Sequence, residues 1–276
     1  MDIENLITYY NKITENVIAE LEKLASEEGY DIAPYIKNAI MQSTSFMSTK
    51  WRTKRKYLRT LSAMKIYSND YPNNEDMIKL SLVVDAMVNI LDDLFDEVLT
   101  MEEKSMFILE LGKILTYFSS QKMLSADLLK QFSMYIEKII LLGIGDHVLR
   151  EKLSDIEVAK RHYLLRSMDI DIFVQIPMLF GIEIKNKEQF QKSCRAFRAL
   201  NLLKKDISDI QHDEKIKQVT PVTIYKNSQD RILELASYFY KIALKDSSKY
   251  RNNIEKMCKN EITEIKKLLQ TSQKKL

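Results

Sequence analysis

The stretch Leu80-Ser-Leu-Val-Val-Asp-Ala-Met-Val-Asn-Ile-Leu-Asp-Asp-Leu-Phe-Asp-Glu97 decides the fold. Its apolar residues recur at spacings of three and four, the period of a helix that buries one face. At about 100° per residue, Asp85, Asn89, Asp92 and Asp96 fall within an arc of about 60°. A polar stripe therefore runs down a helix whose other positions are mostly apolar. Carboxylates this close repel one another, and they resist desolvation unless a cation or hydrogen-bond donors neutralise them.

The same period carries outward in both directions. It predicts helices over roughly residues 2–28, 33–48, 52–70, 74–98, 101–119, 124–143, 154–182, 186–213, 227–246 and 248–273. The turn signals between them, such as Gly29-Tyr30-Asp31, Lys185-Asn186 and the segment Lys215–Pro221, are too short to serve as domain linkers. One domain over residues 1–276 is the expectation, with no repeat of fixed period. Gly (5) and Pro (4) together fall far below the roughly 33 that average usage predicts, so an all-β or doubly wound α/β fold lacks its punctuation. The fold class is all-α, an antiparallel helical bundle or a globin-like pile of helices.

Lys and Arg number 42 against 39 Asp and Glu, and a balance of +3 is too small to call for a nucleic acid or an anionic membrane. Cys194 and Cys258 lie far apart in the chain, which argues against a disulfide framework or a thiolate metal site and fits a reducing cytoplasm. The N-terminal residues lack the basic start and apolar run of an export signal. The longest apolar stretches are too short or too interrupted to span a membrane.

A second acidic face lies more than a hundred residues after the first. In Asn201-Leu-Leu-Lys-Lys-Asp-Ile-Ser-Asp-Ile-Gln-His-Asp213, the carboxylates Asp206, Asp209 and Asp213 again share an arc of about 60°, with Lys205 at its border. Oxygen-only ligands favour a hard cation, and Mg²⁺ habitually takes one or two carboxylates, with water and substrate phosphate completing its shell. Two facing acidic helices with room for a diphosphate suit that habit. Either face alone is more simply a solvated surface. The loop spacing and turn glycine of a calcium hand are missing.

These residues resemble the class I isoprenoid synthase superfamily, which comprises terpene cyclases and trans-prenyl diphosphate synthases. Asp92-Asp93-Leu-Phe-Asp96-Glu97 is similar to its first aspartate-rich motif, DDxxD. Lys205-Asp206-Ile-Ser-Asp209-Ile-Gln-His-Asp213 is similar to the cyclase second motif, NDxxSxxxE, with Lys205, Asp209 and Asp213 standing for its Asn, Ser and Glu. A protonated Lys cannot coordinate a metal. The resemblance then implies one of two arrangements: the second site shifts to Asp206, Asp209 and Asp213, or Lys205 replaces the charge of one ion.

Tyr163-Leu-Leu-Arg166-Ser-Met-Asp169-Ile170 resembles the cyclase segment in which an Arg senses the diphosphate. By that resemblance Arg166 is the sensor, Asp169 the linker and Ile170 the effector, where the family usually has Gly. A purely structural pair of Arg166 and Asp169, one helical turn apart, is the plainer alternative. Lys249-Tyr250 stands for the family's C-terminal Arg-Tyr pair. Lys54-Arg55 occupies the place where chain-elongating synthases bind a second diphosphate, without the Gly-Gly that precedes it there and without the paired Arg residues that follow DDxxD.

The resemblance covers roughly residues 50–260 and implies a helical bundle of the class I terpenoid synthase type around a central cavity. It implies an Mg²⁺-dependent terpene synthase or cyclase that ionises a linear allylic isoprenoid diphosphate of C10 to C20, with two or three Mg²⁺ held by Asp92, Asp93, Asp96, Asp206, Asp209 and Asp213. Arg166 and Lys205 would meet phosphate oxygens. Aromatic residues such as Phe95, Phe173, Phe197 and Trp51 fit a pocket that shields a carbocation, and equally fit plain core. The alternatives are a chain-elongating prenyl diphosphate synthase and a non-catalytic helical subunit that binds an active synthase. A homodimer is left open.

Overall fold

The computed structural model describes residues 58–71 and 152–273, with single positions between them, among them Met77, Leu80, Ser81, Val84, Asp85, Val88 and Tyr135. Most of the described residues (81%) are helical and none lies in a strand. Two compact units divide the chain: Met1–Ile139 with Gln175–Ile182, and Ile140–Val174 with Glu183–Leu276.

In the first unit, helix α1 (Leu58–Tyr67) runs into a 3-10 turn, Ser68–Asp70, where Ser68 takes a left-handed φ of 52°. Ala63, Met64, Ile66 and Tyr67 are buried. Asp85, from the stripe in the deciding stretch, is fully buried beside α1. Its carboxylate accepts from the Arg59 guanidinium at 3.1 Å and from the Thr60 backbone N–H at 2.9 Å. Burial still pushes the Asp85 carboxyl above the usual carboxylate range, against the opposing pull of Arg59 and Thr60. Asp85 is thus a structural acid that ties its helix to α1. Of the expected stripe only Asp85 is described; Asn89, Asp92 and Asp96 lie outside the described residues.

The second unit is built on one long helix. α2 (Ile156–Arg166) begins at Asp155, whose side chain accepts from the Glu157 N–H and satisfies one of the orphan donors at the helix start. A 3-10 turn, Ser167–Ile170, follows, then α3 (Asp171–Leu179), whose residues from Gln175 onward are counted with the first unit. The single helix expected over 154–182 is therefore interrupted. Ser167 Oγ bonds back to the Leu164 carbonyl at 2.7 Å, which competes with continuation of the α-helical ladder. Gly181, at φ 94°, ends the segment in a conformation that L side chains rarely adopt.

α4 (Lys187–Lys215) runs 29 residues, about 43 Å at 1.5 Å per residue, and starts on the Asn186 cap. Phe190, Cys194, Phe197, Leu200, Leu203 and Ile207 mark its buried face. It ends with Lys217 in the left-handed region at φ 57° and the Gln218 N–H bonded to the Asp213 carbonyl at 2.8 Å, the closure of a Schellman motif with Lys in place of Gly. The short helix α5 (Pro221–Ile224), absent from the sequence expectation, follows at once. Thr220 and Thr223 cap it reciprocally, and Pro221 occupies a first-turn position that needs no N–H.

α6 (Gln229–Ala243) then returns along α4, and α7 (Arg251–Gln273) packs along α4 in the same direction as α4. α6 buries Ile232, Leu235, Ala236, Phe239 and Ala243, spaced at three and four residues. Cys194 on α4 and Cys258 on α7 are fully buried free thiols, and burial raises both far above the ordinary thiol range. No helix among the described residues is long and apolar enough to cross a membrane.

Candidate functional site

The segment from Tyr163 to Asp171 is fastened to α4 by charged contacts that step along the helix. Asp171 accepts from Arg195 Nε at 2.6 Å and Nη2 at 2.5 Å. Asp169 accepts from Arg198 Nη2 at 2.7 Å and Nε at 3.0 Å, the planar fork that guanidinium and carboxylate make together. Farther along α4, the polarity reverses. Asp206 is now the acid, and it accepts from the Tyr163 hydroxyl at 2.8 Å and from Arg166 Nη1 at 3.4 Å.

The resemblance made Arg166 and Asp169 partners in one relay. The structure gives each a partner on α4: Asp206 for Arg166, Arg198 for Asp169. Arg195, Arg198 and Asp171 were not singled out from the sequence. Their signal was available, since Arg195 and Arg198 are spaced one turn apart on α4 and Asp169 and Asp171 flank Ile170. Ile170 itself is fully buried within the 3-10 turn.

Asp206 and Asp213 are buried, Asp209 is half-buried and Lys205 is exposed. Desolvation raises the Asp213 carboxyl first, and the charges of Asp206 and Asp209 raise it further, while Lys205 and His212 pull it down. These groups therefore feel one another along the acidic face. Burial likewise lifts the Tyr163 hydroxyl well above its ordinary value, with Asp206 adding to the effect, so the phenol keeps its proton and remains a donor to Asp206. Tyr163 also meets Phe239 edge-on, with ring centroids 5.9 Å apart.

The donors on this face are all oxygen, the chemistry a hard divalent cation prefers, and burial first, then the charges of Asp206 and Asp209, raise the Asp213 carboxyl. Among the described residues, no group of three or more His, Cys, Asp or Glu side chains is arranged to hold a metal ion. One or two carboxylates are the contribution that Mg²⁺ ordinarily asks of a protein at a phosphate site.

The other expected residues fall elsewhere. Asp92, Asp93 and Asp96, with Lys54 and Arg55, lie outside the described residues, as do Trp51 and Phe95. Phe173 and Phe197 are core residues, both buried. Tyr250 is buried against Phe190, with centroids 5.9 Å apart, and Lys249 Nζ sits 5.0 Å from the centroid of the Tyr250 ring. Phe190 precedes Asp206 by sixteen residues of α4, or about 24 Å of helix. The structure thus brings Arg166 to the second acidic face and sets Lys249-Tyr250 near the opposite end of α4. Compared with family models, with curated proteins and with solved structures, the chain matches none.

Proposed function

We propose that this chain is an Mg²⁺-dependent class I terpene synthase that ionises a linear allylic isoprenoid diphosphate of C10 to C20 and releases diphosphate. The observation that carries the reading is the 3.4 Å approach of Arg166 to Asp206. Two sequence segments matched separately to the same family's chemistry meet there, a diphosphate-sensing Arg and a metal-binding acidic face. In this reading Asp206, Asp209 and Asp213, together with Asp92, Asp93 and Asp96, hold the metal. Bound Mg²⁺ would neutralise charge on the diphosphate.

The residues of the chain have definable tasks. Arg166 is a preorganised cation that can leave Asp206 for a phosphate oxygen, and Lys205, exposed at the border of the face, is a second phosphate donor. Tyr163 holds Asp206 in place when Arg166 departs. As the allylic C–O bond breaks, its electron pair leaves with the diphosphate. The resulting carbocation is quenched by loss of a proton to give a hydrocarbon, or by water to give an alcohol. A contact that strengthens with the developing charge on the leaving group is typically worth about 3–4 kcal/mol.

The test is incubation of the purified chain with C10, C15 and C20 allylic diphosphates, with and without Mg²⁺. A hydrocarbon or alcohol together with free diphosphate is expected, lost on Asp92→Ala, Asp96→Ala or chelation of the metal, with the circular dichroism of the variants unchanged. Full activity of Asp92→Ala would remove the first metal site. A longer diphosphate formed with added isopentenyl diphosphate would replace cyclisation by chain elongation.

A second reading, a non-catalytic helical subunit of an active synthase, is favoured by one observation. Lys205 occupies the position of a metal-ligating Asn and lies exposed. No product from any allylic diphosphate, combined with co-purification of an active synthase, would establish it. Lys205→Asn separates the roles: a gain in activity marks a degenerate second metal site, and a loss marks a direct task for the ammonium.

A further inference from the structure

A groove of about 610 Å³ opens between α2, α4 and α6 in the second unit, within the range of about 300–1,000 Å³ usual for small-ligand sites. Its floor is apolar, formed by Leu164, Leu165, Met168 and Ile242. Every charged residue that lines it is a cation: Arg161, Lys192, Arg195 and Lys245. Two of these are neutralised, Lys192 by Glu188 at 2.5 Å and Arg195 by Asp171 at 2.5 Å. Arg161 and Lys245 are exposed, and no carboxylate pairs with either among the described residues.

This groove is separate from the acidic face. At about 100° per residue, Tyr163 and Arg166 lie some 140–160° around α2 from Arg161, so the two sites use opposite sides of that helix. Nothing in the proposed synthase chemistry calls on the groove.

We propose that the groove binds a single-tailed long-chain phosphate monoester, its alkyl tail on the Leu164, Leu165, Met168 and Ile242 floor and its head between Arg161 and Lys245. The charge match selects the head. A phosphate monoester carries about −1.5 to −2 at neutral pH, which two unpaired cations balance, and a guanidinium can meet it with two parallel N–H bonds. An apolar floor selects a tail over a bare anion, because inorganic phosphate gains nothing from apolar surface.

The probe is dodecyl phosphate below its micelle concentration, titrated calorimetrically into the full chain with chelator present and no allylic diphosphate. Failure of the synthase reading therefore leaves the result standing. The expected outcome is one-to-one binding at least tenfold tighter than that of dodecanol or inorganic phosphate. Arg161→Glu with Lys245→Glu should weaken it at least tenfold while the melting temperature holds. Arg161→Gln with Lys245→Gln should give an intermediate loss, which guards against misfolding of the charge-reversed protein. Equal affinity for dodecanol, an unaffected double variant, or binding only to phosphatidic acid vesicles would overturn the inference. So would loss of binding in Arg166→Ala, which would move the probe to the opposite side of α2.

Discussion

Asp206 illustrates how a buried carboxylate is kept usable. Its two donors differ in kind: the Tyr163 phenol is buried and keeps its proton, whereas Arg166 is part-exposed at the last turn of α2. Tyr163→Phe removes a buried donor to a carboxylate, a loss of roughly 1.5–3 kcal/mol. For a chain of this size the melting temperature should fall by about 3–10 °C, measured by thermal unfolding. An unchanged midpoint would mean that the phenol contributes nothing to holding Asp206.

Asp213 gives a prediction with a definite sign. Its folded-state pKa is raised, by desolvation first and then by Asp206 and Asp209, so the folded chain binds this proton more readily than the unfolded chain does. Stability contributed at low pH is therefore lost as pH rises from about 4, the ordinary carboxylate value, through the raised one. Asp213→Asn should melt about 1–3 °C higher than wild type near pH 7, a modest gain because solvent screens part of the repulsion. The two curves should converge below about pH 4. If Asp213 helps to hold Mg²⁺, the metal should raise the wild-type midpoint more than that of the Asn variant.

Among the elements, the α4 contacts explain why the segment between α2 and α3 can be irregular and yet fixed. Arg198→Ala takes from the buried Asp169 its two-pronged guanidinium and should cost up to about 3–5 kcal/mol by chemical denaturation. Asp169→Ala combined with Arg198→Ala should cost less than the sum of the single changes, because the charge left behind is gone. Additive losses would mean that the two side chains act independently.

At this scale the helices themselves were legible. The spacing of apolar residues placed α4, α6 and α7 to within a few residues of their observed ends. The break at Ser167–Ile170 was not legible, because it depends on a hydroxyl bonding back to Leu164 and on Arg195 and Arg198 arriving from α4, contacts that no local pattern encodes. α5 was missed for a related reason: four residues are too few to show a period, although Thr220-Pro221 is a recognisable helix start.

At the scale of the molecule, the scarcity of Gly and Pro and the helical period pointed to the all-helical class that the described residues show. The candidate site was legible in part. The arc shared by Asp206, Asp209 and Asp213 follows from helix geometry alone, and burial of Asp206 and Asp213 agrees with a face turned inward. That Asp85 would accept from Arg59 and Thr60 was hidden, because these partners lie some twenty-five residues away and meet it only through packing. Periodicity tells which side of a helix is polar and leaves open what lies opposite.

The two thiols offer a way to follow the second unit as it opens. Cys194 and Cys258 are sealed inside the α4 and α7 contact, and burial disfavours their reactive anionic form. An alkylating dye should leave the native protein unmodified and label both sulfurs only when the long helix parts from its neighbour. Labelling rate against denaturant, followed by mass spectrometry, then becomes a clock for that separation, and rapid labelling of either sulfur in native buffer would mean the interior breathes there.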